Sequence, residues 1–277
     1  MAITMKLVFG TAGIPIATEP RNTVNGVETV RKLGLDAMEL EFVYSVNIST
    51  ANAPLVQEAA TKNDVKLTCH GQYYINLNSD ATKTKASVQR VLNAARVAWL
   101  CGGWSVCFHA GYYMGQPSDS VYDKIKKQLM TITKTLHDEG NKIWVRPEIS
   151  GKATQFGSLE ELVKISEVDG VLPCIDFSHL HARTNGKYNT KEEFKQILET
   201  IERHLGRTAL ENMHIHLSGI NYGPKGEKNH LTLKESDMNY RDLIKTWKEF
   251  RIGGVVISES PNIEQDALLM KKTFEKL

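Results

Sequence analysis

Cysteine is scarce in this sequence, and the cysteines present form no recognisable pattern. There are four in 277 residues, with no C-x-x-C pair and no dense spacing. A disulfide framework and a cysteine-based zinc site are therefore not expected. Isolated thiols within apolar segments are typical of buried side chains in a reducing compartment, so we expect a cytoplasmic protein.

Long hydrophobic runs are also absent. The longest apolar stretch, residues 97–108, has roughly half the length needed to cross a bilayer and is interrupted by Gly102 and Gly103. The apolar run at residues 7–17 lacks a basic leader and contains Pro15, so it predicts a first strand and loop rather than a signal peptide. We expect no contact with a membrane.

The sequence has neither an excess of one charge nor a linker that divides it. Its 34 basic and 32 acidic residues give a net charge of +2, which by itself indicates neither a nucleic-acid partner nor an anionic membrane. A chain of this length buries roughly 70–75% of the surface that it exposes when unfolded. We expect one domain over residues 1–277, present as a monomer.

Short apolar runs of strand type alternate with longer amphipathic segments along the whole chain. Eight such pairs predict the α/β class and a single (β/α)8 TIM barrel. A doubly wound open sheet shares the alternation, but no G-x-G-x-x-G motif follows a strand. The predicted strands are Lys6–Gly10, Ala37–Val43, Val65–His70, Ser105–His109, Lys142–Glu148, Val171–Asp176, Met213–Ser218 and Gly254–Glu259. The predicted helices are Thr23–Leu33, Pro54–Lys62, Thr82–Leu100, Val121–His137, Leu159–Ser166, Lys191–His204, Tyr240–Phe250 and Ile263–Leu277.

Histidine and carboxylate residues stand at the ends of six consecutive predicted strands. Functional groups of a (β/α)8 barrel lie at the carboxyl ends of its strands, so these side chains should converge at one mouth. Imidazole and carboxylate ligands suit zinc, manganese or iron rather than calcium. These ligands outnumber those that a single metal ion binds, so they predict a site with two or three metal ions. The residues are His70, His109, Glu148, Asp176, His216 and Glu259, with His179 one short loop beyond Asp176 and His230 in the polar loop after the seventh strand.

The remaining histidines have other interpretations. His214 shares the face of His216 but lies deeper, so it is either a ligand or a hydrogen-bonded interior side chain, and His181 is equally open. His137 and His204 lie near the predicted C-termini of helices, where a cation stabilises the helix dipole, which favours a structural role.

The strand-end motifs resemble those of the endonuclease IV family of apurinic/apyrimidinic (AP) endonucleases, within the wider xylose-isomerase-like barrels. The match covers nearly the whole chain in the family's order, and its Asp-x-x-His element is fairly specific. The similar stretches are His70-Gly-Gln-Tyr73-Tyr-Ile-Asn76-Leu, Phe108-His109-Ala-Gly, Pro147-Glu148-Ile-Ser-Gly151, Cys174-Ile-Asp176-Phe-Ser-His179, Ile215-His216-Leu-Ser and Ser258-Glu259-Ser.

This resemblance implies a zinc centre of two or three ions, with manganese as the alternative metal. One zinc would be held by His70, His109 and Glu148, a second by Glu148, Asp176, His216 and Glu259, and a third by His179 with groups from the loop after the seventh strand. That loop departs from the family's Asp-Arg-His, because it contains Gly226-Glu227-Lys228-Asn229-His230-Leu. Glu227 and His230 are the proposed replacements.

The resemblance also implies a function in base-excision repair. The expected reaction is metal-dependent hydrolysis of the phosphodiester 5′ to abasic sites in double-stranded DNA, with Glu148 and Asp176 holding a water that Glu259 orients. Tyr73 would stack in the gap left by the lost base. Further expected DNA contacts are Asn76 and the basic rim residues Lys152, Arg183 and Lys228. The chain departs from the family after strand one, where a DNA-facing histidine is missing, and after strand two, where Tyr44 is the only large side chain available in place of a wedging arginine.

Two other functions stay open. Glu39 and Glu41 lie on one face of the second predicted strand, which favours a sugar isomerase or epimerase whose carboxylates shuttle protons. The number of histidines argues against it, because such sites use mainly carboxylates. The altered third site leaves room for a metal-stabilised barrel that binds damaged DNA without cutting it.

Overall fold

Eight parallel strands form a nearly closed barrel in the computed structural model, which describes residues 6–277. The barrel strands are β1 (Leu7–Ala12), β2 (Ala37–Glu41), β3 (Lys66–His70), β4 (Gly103–Phe108), β5 (Trp144–Pro147), β6 (Cys174–Asp176), β7 (Met213–Leu217) and β10 (Gly254–Ser258). Their order around the barrel is β5-β4-β3-β2-β1-β10-β7-β6, and parallel bridges from Val145 to Val171 and from Glu148 to Cys174 link the two ends. The predicted (β/α)8 barrel is therefore confirmed.

Helices follow the strands and cover the outside of the barrel. Their starts obey local capping rules, since the side chain of Asn22 accepts a hydrogen bond from the backbone of Asn25, and Ser158 forms a capping box with Glu161. The helices are α1 (Thr23–Lys32), α2 (Ala53–Asn63), α3 (Ala81–Leu100), α4 (Ser118–Asp138), α5 (Leu159–Ile165), α6 (Phe177–Arg183), α7 (Lys191–Leu205), α8 (Arg207–Glu211), α9 (Tyr240–Glu249) and α10 (Glu264–Glu275). No helix within residues 6–277 is long and apolar enough to span a bilayer.

The structure differs from the sequence prediction mainly after strands β6 and β7. The segment after β6 is a short helix, α6, and not a loop. The polar loop expected after β7 is a β-hairpin, made of β8 (Gly219–Gly223) and β9 (Gly226–Leu231). Both elements are too short, or too polar, for hydrophobic periodicity to reveal them. The other predicted boundaries shift by a few residues.

The barrel interior is polar through much of its depth, whereas the layer between strands and helices is apolar. At the lower end, buried Arg146 donates hydrogen bonds to the carbonyls of Pro173 (3.0 Å) and Asn212 (2.6 Å). Its guanidinium also lies 4.6 Å from the ring centroid of Trp104. In this fold the functional side chains lie at the other end, where the strands terminate.

Candidate metal centre

The carboxylate of Glu148 lies at the centre of the barrel mouth, directly after β5, and is fully buried. Four imidazoles surround it. Oε2 lies 3.1 Å from His70 Nε2 and 3.6 Å from His109 Nε2, and Oε1 lies 2.9 Å from His216 Nδ1 and 3.6 Å from His179 Nδ1. Since these histidines come from or directly after four different elements, β3, β4, α6 and β7, the closure of the barrel is what assembles them.

A second group shares Glu148 and adds the ends of β6, β7 and β10. Ligand atoms of Glu148, Asp176, His216 and Glu259 all lie within 4.8 Å of one another. Glu259 Oε1 is 3.4 Å from His216 Nδ1, while its Oε2 is buried with no hydrogen-bond partner among the described residues. A buried acceptor of this kind is costly unless a cation or a donor is supplied.

A third group lies beside the first two and uses the β8–β9 hairpin. His179 Nε2 is 3.6 Å from Glu227 Oε2 and 3.4 Å from His230 Nε2. His230 Nδ1 faces the Glu259 carbonyl at 3.1 Å, and His179 Nδ1 faces the Ile149 carbonyl at 3.1 Å and Asp176 Oδ2 at 2.9 Å. All of these groups accept, so both Nδ1 atoms carry hydrogens. Two Nε2 lone pairs then face each other, an arrangement that needs a proton or a metal cation between them. The donor set fits a metal ion.

Gly151 makes room for this third group. A Cβ atom at residue 151 would lie 2.7 Å from Glu227 Cβ and Oε2 and 3.0 Å from His179 Cδ2. The hairpin is tied to the same glycine, because the backbone N–H of Glu227 donates to the Gly151 carbonyl at 2.9 Å. The close approach of loop and hairpin therefore depends on the missing side chain.

We expect Gly151→Ala to displace Glu227 and remove one metal ion per chain, because the new methyl group occupies the space next to that carboxylate. Elemental analysis of the purified protein measures the loss. Gly223→Ala in the same hairpin is the matched control, since its Cβ meets only the flexible end of Lys228. Unchanged metal content and affinity in Gly151→Ala would contradict the role given to this contact.

The histidines and carboxylates of the mouth strongly perturb each other's protonation. Burial alone would raise the pKa of Glu148, but the charges of His109 and His216 and hydrogen bonds from His179 and His216 hold it well below its usual range. Burial would lower the pKa of His70, but the hydrogen bond to Glu148 and that carboxylate's charge raise it to about 10. Burial also lowers the pKa of His109 to about 4, so this ring is neutral at pH 7 and ready to coordinate.

We expect metal binding to release protons and to strengthen as the pH rises. The raised pKa values of His70 and His179 leave both rings protonated at pH 7, and a metal can bind only after the protons leave. For each proton displaced, the apparent affinity should rise roughly tenfold per pH unit below the raised pKa. Calorimetry in buffers of different ionisation enthalpy measures the released protons. A binding enthalpy that is independent of the buffer would contradict this expectation.

All nine predicted ligand residues occur in these three groups, but the predicted DNA-contact residues are more dispersed. Tyr73 is 53% exposed at the edge of the mouth, with its ring centroid 5.6 Å from that of His70. Asn76 lies further out, where its Oδ1 accepts from the backbone of Asn78 at 3.0 Å. Lys152 and Lys228 are exposed on the β5–α5 loop and on β9.

The guanidinium of Arg183 is directed into the protein and not towards the mouth. Its Nη1 donates to the carbonyls of Lys152 (2.5 Å) and Gln155 (2.9 Å), and its Nη2 lies 3.3 Å from the hydroxyl of Tyr113. This geometry favours a role in holding the loop after β5, in place of the expected contact with phosphate.

The two undecided histidines lie outside the three groups that surround Glu148 and His179, although His214 shares a further buried donor group with His216, Cys107 and Cys174. His181 is held between the carbonyl of Lys187 (2.8 Å) and Asp237 (3.1 Å), away from the mouth. His214 lies deeper in the barrel, where its ring contacts Glu39 and Ser105. Sequence reasoning also missed Cys107, whose buried thiol donates to Glu39 Oε2 at 3.5 Å. The position of Cys107, one residue before the end of β4, was the only signal available.

The fold and its mouth define a (β/α)8 barrel whose donor groups can hold metal ions. The chain belongs to the xylose isomerase-like TIM barrel family, because the AP endonuclease family 2 model with that description matches residues 27–277. The predicted resemblance to the endonuclease IV family is confirmed at this level.

Individual relatives cover most of the chain. An uncharacterised protein from Methanocaldococcus jannaschii is 42% identical over 272 residues, which is 98% of each chain. A probable endonuclease 4 from Staphylococcus saprophyticus is 24% identical over 212 residues, which is 74% of this chain but only 60% of that protein.

Two solved structures share the fold at low sequence identity. Endonuclease IV from Thermus thermophilus superposes with a TM-score of 0.76 at 18% identity, over 97% of this chain and 98% of its own. A D-tagatose 3-epimerase-like protein gives a TM-score of 0.73 at 20% identity, over 98% and 96%. At these sequence identities both comparisons support the fold alone, so the reaction has to be inferred from the residues of the site.

Proposed function

We propose that this protein is a zinc-dependent endonuclease that hydrolyses the phosphodiester 5′ to abasic sites in double-stranded DNA. The observation that carries the proposal is the sharing of Glu148 between donor groups, with a third group of His179, Glu227 and His230 directly beside them. Adjacent metal ions suit phosphoryl transfer, because they stabilise both the attacking and the leaving oxygen. The Staphylococcus relative named probable endonuclease 4 supports the same reaction class.

The residues of the mouth would divide into three ligand sets. Bound zinc or manganese supplies Lewis acidity and lowers the pKa of coordinated water. The first set would be His70 and His109, which both face Glu148 Oε2, together with Glu148 itself. The second would be Glu148, Asp176, His216 and Glu259, and the third His179, Glu227 and His230.

Within this arrangement the carboxylates have different tasks. Glu148 stays ionised because its pKa is held low, so it accepts hydrogen bonds from the attacking water without taking its proton. Burial raises the pKa of Glu259, and its Oε2 has no hydrogen-bond partner among residues 6–277, so this oxygen is suited to take up that proton. Asp176 accepts a hydrogen bond from the backbone N–H of His179 at 2.7 Å, which fixes its orientation towards the mouth.

Exposed side chains around the mouth are suited to hold damaged DNA. The ring of Tyr73 stands edge-on to His70 and to Tyr44, whose centroid is 5.9 Å away, and together the tyrosines form an aromatic edge beside the metal groups. Such an edge can stack against bases that flank an abasic gap. Lys152 and Lys228 are exposed and available to phosphates.

A duplex with one abasic-site analogue tests the proposal. The zinc-loaded protein should nick the damaged strand 5′ to the analogue and leave an undamaged duplex of the same sequence intact, and a chelator should stop the reaction. Denaturing electrophoresis with a 5′-labelled strand locates the nick. A fully zinc-loaded chain that leaves the damaged duplex uncut would overturn the proposal.

A second candidate, a metal-dependent sugar isomerase or epimerase, is favoured by Glu41. This carboxyl lies at the end of β2 and lines a cavity of about 200 Å³ together with Arg21 and Asn47. Burial and the charge of Glu39 raise the pKa of Glu41 to about 8, which suits a group that exchanges protons near neutral pH. Conversion of an aldose to a ketose, or of one ketose epimer to another, by a chain that does not nick DNA would support this second candidate.

A further inference from the structure

Glu39 lies on β2 inside the barrel, one layer below the metal centre, and is fully buried. Its Oε1 is 2.9 Å from His216 Nε2, and its Oε2 is 3.0 Å from His214 Nε2. Glu39 belongs to none of the three donor groups around Glu148 and His179. The carboxylate therefore contacts one of the candidate ligands, His216, directly from below.

His216 differs from three of the other four predicted histidine ligands in the partner of its outer nitrogen. Those three are fixed at Nδ1 by neutral groups and direct Nε2 to the mouth, whereas His216 directs Nδ1 to the mouth and Nε2 to a carboxylate. The neutral partners are the Gly71 carbonyl for His70 (2.7 Å), Ser150 Oγ for His109 (3.2 Å) and the Glu259 carbonyl for His230 (3.1 Å). The fourth, His179, has its Nδ1 between the Ile149 carbonyl (3.1 Å) and Asp176 Oδ2 (2.9 Å).

The protons on the groups around Glu39 follow from these distances. An ionised carboxylate only accepts, so the Nε2 atoms of His216 and His214, at 2.9 and 3.0 Å, both carry a hydrogen, and the thiol of Cys107 also donates to Glu39 Oε2 at 3.5 Å. His214 Nδ1 is then an acceptor, and the hydroxyl of Ser105, 2.9 Å away, donates to it. His216 Nδ1 faces Glu148 Oε1 at 2.9 Å and Glu259 Oε1 at 3.4 Å, a position from which it either donates a proton to these carboxylates or binds a metal ion beside them.

We propose that Glu39 is a positioning residue of the metal centre, which fixes the orientation and tautomer of His216 so that its Nδ1 binds metal, while Ser105 and His214 hold Glu39 in place. A carboxylate behind a metal-bound imidazole also makes the ring a stronger ligand. The proposal rests on the proposed metal centre, and it holds for either reaction considered above.

Glu39→Gln tests the proposal, because the amide keeps the volume but has one acceptor atom in place of two. We expect its zinc affinity, measured by competition with a chromophoric chelator, to fall about 10–100-fold at the site of His216. Thr68→Val is the matched control. Thr68 is the register neighbour of Glu39 on β3, buried, and its hydroxyl has no hydrogen-bond partner among the described residues. Its zinc affinity should stay within about twofold of wild type, since no hydrogen bond is lost.

A second measurement uses the wild-type chain and does not depend on the folding of a variant. Long-range ¹H–¹⁵N spectra of the zinc-loaded protein should show His216 with its proton on Nε2 and the other four rings with theirs on Nδ1. Zinc affinity of Glu39→Gln within twofold of wild type, or a His216 without a proton on Nε2, would overturn the proposal. A wild-type chain that binds no zinc overturns the metal centre and this proposal together. Zinc binding without DNA nicking overturns only the proposed substrate.

Discussion

Glu148→Gln is expected to reduce cleavage of the abasic duplex by about 10³-fold or more, because it removes the one carboxylate shared by two proposed ligand sets. The amide keeps the shape of the side chain but loses its charge. His216 and His70, at 2.9 and 3.1 Å, then have no anion between them. Single-turnover nicking measures the rate, and elemental analysis of the same sample should show a loss of zinc.

A Glu→Gln substitution on the surface shows whether the loss of nicking rate and zinc depends on the position of Glu148. Glu160 is exposed in the first turn of α5, remote from the mouth, and Glu160→Gln should leave both rate and zinc content unchanged. If Glu148→Gln cuts at a rate within tenfold of wild type with its zinc retained, the central role of this carboxylate is wrong.

Removal of metal is expected to have the largest effect on stability. The mouth places Glu148 and Asp176, both fully buried, beside further carboxylates and imidazoles, and their desolvation has to be offset by cations. Zinc at a thousandfold excess over its dissociation constant stabilises the folded state by about 4 kcal/mol. For a domain of this size, we expect dialysis against a chelator to lower the midpoint of thermal unfolding by about 10 °C.

Differential scanning fluorimetry measures this shift, and returning zinc should restore the original midpoint. Glu148→Gln is the matched comparison, because a chain that binds less zinc should respond less to the chelator. An equal response of both chains, or no response of the wild type at saturating chelator, would contradict a stabilising metal centre.

Much of the barrel could be predicted from the sequence because the relevant signals are local. Apolar runs that alternate with amphipathic segments predict the strands and helices, and the side chains of Asn22 and Ser158 cap the starts of α1 and α5. The candidate ligands were predicted in the same way, since each stands at or just beyond the end of a strand or of a recognisable motif. Helix α6 and the β8–β9 hairpin gave no comparable signal, because the first has seven residues and the second is largely polar.

The role of Glu39 shows where sequence reasoning stops. Alternation along β2 places Glu39 and Glu41 on one face but does not reveal that Glu39 meets histidines more than 170 residues away in the chain. The same holds for Arg183, which the sequence suggested as a phosphate contact and whose guanidinium binds backbone carbonyls of the β5–α5 loop. Long side chains reach groups that are distant in sequence, and only the packed structure decides which.

The sequence by itself determined the order of strands and helices and the set of imidazoles and carboxylates delivered to one rim, because both follow from periodicity and from the ends of strands. Closure of the barrel decided how that set divides into three groups around Glu148 and His179. It also decided which ring nitrogen each histidine presents, because that choice depends on a carbonyl, hydroxyl or carboxylate contributed by another part of the chain.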